Sequence, residues 1–198
     1  MNKHSNWIIL ALFILGATTL GYNSWYKQQI QKETSISSEG GASHSDKQLS
    51  GAISGQHRPD FTLKDMIGLP RSLSEWDGKI IVLNFWATWC RPCLQEIPMF
   101  VDVQRNLQKD GVQFLGIAVD DRATVETFLE RTGIEINYPI LIGDDDAIPV
   151  AVDYGNDTGI LPYTIIVDGR GRIRFHHYGA INRNLLEAEL NKTIKDHN

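Results

Sequence analysis

The chain has 198 residues, enough for one domain with extensions. Its formal net charge of −5 leaves no surplus of Lys and Arg to neutralise phosphates, which argues against a nucleic-acid partner. Its only two cysteines, Cys90 and Cys93, would close too small a loop to staple a scaffold, so their value is chemical.

The uncharged stretch from Trp7 to Tyr26 comes first. A helix crosses a bilayer with about 20 mostly apolar residues, and Trp7 at one end with Trp25 and Tyr26 at the other suit its interfaces. Residues 1–26 are therefore expected to form a signal anchor, amino end inside. A cleaved signal peptide is the rival reading, but no good small-x-small cleavage site follows and no cysteine is present for lipid attachment. Either reading exports the remainder. Residues 27–57 are rich in Gln, Ser, Gly, Lys and His and hold no aromatic residue, so they cannot bury enough apolar surface to fold. They read as a flexible linker with a reach of about 30 Å.

A folded domain is expected over 58–198. Phe61 to Leu63 reads as a short strand, Asp65 to Leu69 as a turn, and Ser72 to Ser74 as an edge strand. Ile80 to Phe85 is a near-continuous apolar run, the pattern of a strand buried on both faces. Pro92 to Gln108 reads as a helix with an apolar face of Leu94, Ile97, Phe100, Val101, Val103 and Leu107, ended by Gly111. Val112 to Val119 is a second buried strand. Thr124 to Arg131 is a helix opened by Asp120 and Asp121 and closed by Gly133. Tyr138 to Ile142 is a short strand, and Asp144, Asp145 and Asp146 cap a weak helix running to Asp153. Tyr163 to Val167 and Arg172 to His176 form a hairpin around Asp168-Gly-Arg-Gly. Asn182 to Ile194 is the last helix. Alternating strands and helices imply an α/β fold with a parallel-rich sheet covered on both sides.

The chemistry centres on Asn84-Phe-Trp-Ala-Thr-Trp-Cys90-Arg-Pro-Cys93, where a buried strand runs into a Cys-x-x-Cys at a helix start. A thiol attacks as thiolate, and a helix amino terminus favours negative charge. Cys90, before the first full turn, is expected to be the exposed nucleophile; Cys93, one turn in, is expected to face the body and resolve the mixed disulfide. Arg91 adds a positive charge between them, and Pro92 preorganises the first turn. No metal is expected. A zinc site needs further ligands, and His176 and His177, adjacent on a strand, point to opposite faces. Haem attachment needs a histidine where Leu94 stands. Asp144 to Asp146 lack the glycine and glutamate spacing of a calcium loop.

The stretch Phe85-Trp-Ala-Thr-Trp-Cys-Arg-Pro-Cys93 resembles the thioredoxin superfamily signature, and Leu94-Gln-Glu96-Ile-Pro98 is similar to its TlpA/ResA-like branch of exported, membrane-anchored members. The resemblance covers residues 58–198. It implies a three-layer thioredoxin-like fold around a central mixed sheet, no cofactor, and a thiol–disulfide oxidoreductase. It further implies a role for Glu96 in proton transfer at the thiols, where thioredoxins instead use an aspartate at the position of Asn84. Pro98 matches a proline that kinks the active-site helix. Gly159-Ile-Leu161-Pro162 resembles the loop that carries a cis proline, where Leu161 pairs with an extended substrate segment. Trp86 and Trp89 would flank the site, with Trp89 as an apolar contact surface. Residues 138–153 are similar to the branch's extra strand and helix.

The leading expectation is a disulfide reductase of exported proteins, fed by a membrane thiol donor and connected to cytochrome c maturation. A thiol peroxidase is a second reading, because Pro59-Asp-Phe-Thr-Leu63 also resembles that related family. Against it, Ala87 and Leu83 stand where that family carries a threonine and a proline. A tethered, non-catalytic client-binding module is the third.

Overall fold

The computed structural model describes residues 53–197. The expected anchor over 1–26 and most of the expected linker lie outside these residues. Among the described residues no helix is long and apolar enough to cross a membrane.

Among the described residues, seven strands and four α-helices follow one another. The strands are β1 Thr62–Asp65, β2 Pro70–Ser72, β3 Ile80–Trp86, β4 Val112–Ala118, β5 Ile140–Ile142, β6 Tyr163–Val167 and β7 Ile173–Tyr178. The helices are α1 Arg91–Leu107, α2 Arg122–Thr132, α3 Ala147–Asp153 and α4 Arg183–His197. The strands form one mixed sheet in the order β2-β1-β5-β4-β3-β6-β7. β3, β4 and β5 are parallel, and the remaining pairings are antiparallel. This is a thioredoxin-like fold.

Period-two alternation along β3 assigns its residues to two cores. Ile80, Val82 and Trp86 face the side covered by α1, α2 and α4, while Ile81, Leu83 and Phe85 face the side covered by α3 and Leu73 to Trp76. With both faces covered, β3 is buried from end to end, which is why its sequence reads as an unbroken apolar run. Gly116 on β4 lies where a Cβ would come within 3.1 Å of Trp86 Nε1 and 3.3 Å of Tyr138, so its lack of a side chain leaves room for both rings.

Several elements differ from the sequence reading. The edge strand is Pro70–Ser72, and Leu73–Trp76 is a 3₁₀ turn. The Ser72 N–H donates to Glu75 Oε1 at 2.9 Å, so Ser-x-x-Glu starts a helical turn where alternation suggests strand. The acids Asp144 to Asp146 do not cap α3 with their side chains. Asp146 already has a helical backbone, φ −83° and ψ −14°, whereas a capping residue needs an extended one. The linker reading is corrected at its end. Residues 53–57 line the β7 end of the sheet, with Gly55 N–H donating to Ile173 O at 2.7 Å and Ile173 N–H donating to Gln56 O at 2.9 Å. Ile53 packs on the α3-side core.

Candidate active site

β3 delivers its last residue, Trp86, into the core, and the chain turns through Ala87, Thr88 and Trp89 to reach Cys90. The turn is held at two points. Cys90 N–H donates to Ala87 O at 3.1 Å, and Thr88 N–H donates to Asp120 Oδ2 at 2.6 Å. Asp120 stands just after β4, so two adjacent parallel strands fix the approach to the cysteine.

Cys90 is the N-cap of α1. Its backbone is extended, and its sulfur accepts from the Cys93 N–H at 3.4 Å. A helix amino terminus presents unpaired N–H groups, so a thiolate formed here meets donors and a favourable dipole. Pro92 occupies the first turn, where its missing N–H costs nothing. Arg91 is the first residue of α1 and lies exposed.

Cys90 and Cys93 are joined in a disulfide. Cys90 is 5% exposed and Cys93 is 1% exposed. Both are buried, so the expectation of an exposed Cys90 is not met in this oxidised form. In the oxidised pair the bond holds the Cys90 sulfur against the helix, and both cysteines sit in one cluster with Trp86, Ala87, Ile97 and Phe128. Trp86 therefore floors the site from within the core. Trp89 is 71% exposed and stands outside it.

Glu96 lies one helical turn beyond Cys93 on the same face, at the i,i+3 spacing that makes side chains neighbours. It is 4% exposed. Its Oε1 accepts from the Ile181 N–H in the loop before α4, while Oε2 is buried with no hydrogen-bond partner among the described residues. Loss of hydration raises its pKa from 4.5 to about 7, against the opposing effect of the Ile181 hydrogen bond. Tyr138 is buried nearby; burial, and secondarily the charge of Glu96, hold its phenol well above the usual range. The inner face of α1 is thus less apolar than expected: Glu96 and Gln104 are buried on it, and Gln104 Oε1 accepts from the Phe114 N–H at 2.6 Å.

Asn84 is buried, and its Nδ2 donates to Thr164 Oγ1 at 3.2 Å on the neighbouring strand β6. Just before β6, the Leu161–Pro162 peptide bond is cis. Leu161 packs against the cluster that holds both cysteines, so the structure brings the loop and the thiols together. Pro98 lies inside α1, where it cannot donate to the carbonyl one turn back.

Sequence reasoning missed Asp120 and Ile181. Asp120 was read with Asp121 as a helix opener, but only Asp121 caps α2, accepting from Thr124 N–H at 3.0 Å. The part played by Ile181 is its backbone N–H, which leaves no mark on residue type.

A Cys-x-x-Cys disulfide placed at a helix cap, with a strand's full length buried behind it, is the arrangement of the thiol–disulfide oxidoreductases of the thioredoxin fold. Residues 54–176 match the AhpC/TSA family. The thiol-disulfide oxidoreductase ResA of Geobacillus thermodenitrificans is 38% identical over 137 residues, covering 69% of this chain and 75% of that protein. The thioredoxin-like protein YneN of Bacillus subtilis is 30% identical over 187 residues, covering 93% of this chain and 96% of that one. Among solved structures, a thiol:disulfide interchange protein of the thioredoxin family from Chlorobium tepidum superposes with a TM-score of 0.60 at 28% identity, over 71% of this chain and 97% of that one. The chain belongs to the AhpC/TSA family and, within the thioredoxin superfamily, is a ResA/TlpA-like member. It is a thiol–disulfide oxidoreductase.

Proposed function

We propose that this oxidoreductase works as a disulfide reductase on exported proteins, anchored by residues 1–26 with its catalytic domain on the outer side of a cytoplasmic membrane. The observation that carries the reductase reading is a buried carboxyl group, Glu96, placed one turn from the inner cysteine and held near neutrality. Cys93 must lose a proton to resolve a mixed disulfide, and a carboxylate with a pKa close to the working pH is a suitable acceptor.

The cycle begins with Cys90 and Cys93 reduced. The Cys90 thiolate attacks one sulfur of the client disulfide; the new Cys90–client bond forms as the client S–S bond breaks, and the other client sulfur leaves as a thiolate and takes up a proton. Glu96 accepts the Cys93 proton, and the Cys93 thiolate attacks Cys90 Sγ, expelling the second client thiolate. The client gains two electrons and the cysteine pair is left oxidised. A membrane thiol donor must then return two electrons and two protons, because an exported compartment supplies no general thiol reductant. Arg91 and Pro92 tune the pair, by positive charge and by a preorganised first turn. Leu161 and Pro162 receive the client backbone, and Trp89 offers it an apolar face. Cytochrome c maturation is the pathway in which we place the clients.

The YneN match supports the amino-terminal proposal in part. A match over 93% of the chain necessarily takes in some of residues 1–52, so that segment is shared with a relative. The peroxidase reading gains nothing at residue 87, where a fully buried alanine supplies no hydroxyl near Cys90. A purely client-binding module would have no use for a dithiol at a helix cap.

The test is insulin reduction by the chain supplied with a chemical thiol donor. Cys90→Ala is expected to abolish turnover. Cys93→Ala is expected to accumulate a mixed disulfide through Cys90, visible as a shifted band without reductant. Full turnover by the Cys90→Ala protein would sink the proposal.

A further inference from the structure

The loop from Tyr154 to Leu161 brings the cis proline to the cysteines, and it is fastened by side chains outside the redox site. Asn156 is fully buried, yet its carboxamide makes a matched pair of bonds with one residue. Its Oδ1 accepts from the Ile160 N–H at 3.2 Å, and its Nδ2 donates to the Ile160 carbonyl at 2.9 Å. Only this amide orientation satisfies both groups, since an N–H must meet oxygen and a carbonyl must meet NH₂. The Asn156 N–H donates to Ala151 O at 2.9 Å. The preceding residues are pinned from β6 and β7: the Tyr163 hydroxyl donates to Tyr154 O at 2.6 Å, and the Tyr178 hydroxyl donates to Gly155 O at 2.5 Å.

The consequence lies in which backbone groups stay open. Both polar groups of Ile160 are consumed by Asn156. Pro162 has no N–H, and its carbonyl accepts from the Gly179 N–H at 2.8 Å. Between them, Leu161 makes no backbone hydrogen bond among the described residues. The Ile160 side chain, 46% exposed, projects from the same short run.

We infer that Asn156 is a positioning residue for client binding. Its carboxamide occupies Ile160, so that an extended client segment can pair only at Leu161, and it holds the Ile160 side chain beside that segment as an apolar contact. This rests on the reading of Leu161 and Pro162 as substrate-binding residues. The client it fits is an unfolded segment with an apolar residue next to its cysteine, because such a segment has both a free backbone and a side chain to set against Ile160.

The full chain carrying Asn156→Ala tests this in both directions of exchange, with insulin as the disulfide substrate and reduced, unfolded ribonuclease as the dithiol substrate. KM for both is expected to rise about tenfold with kcat changed by less than about twofold, and hydrogen exchange at the Ile160 amide is expected to quicken. Unchanged KM values alongside faster exchange would make Asn156 merely structural and overturn the inference. If Asn156→Ala does not fold, Ile160→Ser decides. That side chain is about half exposed and lies outside both cores, and the substitution is expected to raise KM several-fold; an unchanged KM again overturns the inference. A wild-type chain active only on reduced ribonuclease defeats the reductase direction while the variants still test Asn156. A wild-type chain inactive on both proteins defeats the reading of Leu161, and this inference with it.

Discussion

At the scale of single residues, Glu96 sets the pH behaviour of the molecule. Its carboxyl group titrates near 4.5 in the unfolded chain and near 7 in the folded one. The folded state therefore holds the proton more tightly. The contribution of this group to stability is complete below pH 4.5, declines between pH 4.5 and 7, and is lost above pH 7. A shift of this size corresponds to roughly 3 kcal/mol. Glu96→Gln keeps the shape and the acceptor for Ile181 but cannot ionise. It is expected to flatten this part of the stability curve, so that at pH 8 the variant is more stable than wild type by a large fraction of that amount. Urea titrations of both proteins at pH 5 and pH 8 read the difference; parallel curves would mean that the carboxyl is hydrated. The same variant should lose the inflection near pH 7 in the rate of mixed-disulfide resolution. The spacing Cys93-x-x-Glu96 was legible in the sequence because it is local. The burial was not, because it depends on the fold bringing a distant loop, with the Ile181 N–H, against this face of α1.

At the scale of elements, adjacent residues of one type can serve different elements. Asp120 and Asp121 look alike in the sequence, and both suit a helix start. Asp121 caps α2 through Thr124, while Asp120 turns back to the Thr88 N–H before Cys90. Asp121→Ala should cost about 1 kcal/mol, as loss of an N-cap does. Asp120→Ala leaves the Thr88 N–H without its charged acceptor and should cost about 1–3 kcal/mol. It should also alter the rate at which reduced Cys90 reacts with an alkylating reagent, whereas Asp121→Ala should leave that rate alone. Equal alkylation rates in the two variants would show that the Thr88 bond does not hold the cysteine turn. Helices and buried strands were readable here because their periodicity is written along the chain. The edge was misread at Ser72 to Ser74, where the Ser72-x-x-Glu75 capping pattern was present and outweighed a weak alternation.

At the scale of the molecule, the two cores were legible in outline, since β3 and β4 could only be strands covered on both faces. Where the folded domain begins was not legible. Residues 53–57 are mostly polar, as a linker is, and composition alone cannot show that a short segment will be held along β7 by its backbone. The segment joins the sheet through Gly55 and Gln56 to Ile173, and Ile53 covers part of the α3-side core. A Cβ placed on Gly155 would come within 3.1 Å of Ile53, so the segment also abuts the loop that leads to Leu161. A chain beginning at Arg58 loses the two backbone hydrogen bonds that tie this segment to Ile173 and an apolar contact, compared with one beginning at Ile53. At about 1 kcal/mol per hydrogen bond and a similar amount for the covered isoleucine surface, the deletion should cost roughly 2–4 kcal/mol and lower Tm by roughly 5–15 °C. Calorimetry on the two lengths measures this directly. Equal melting temperatures would return residues 53–57 to the linker; a shorter chain that is less stable and also has a raised KM for insulin would show that this segment supports the client loop as well as the core.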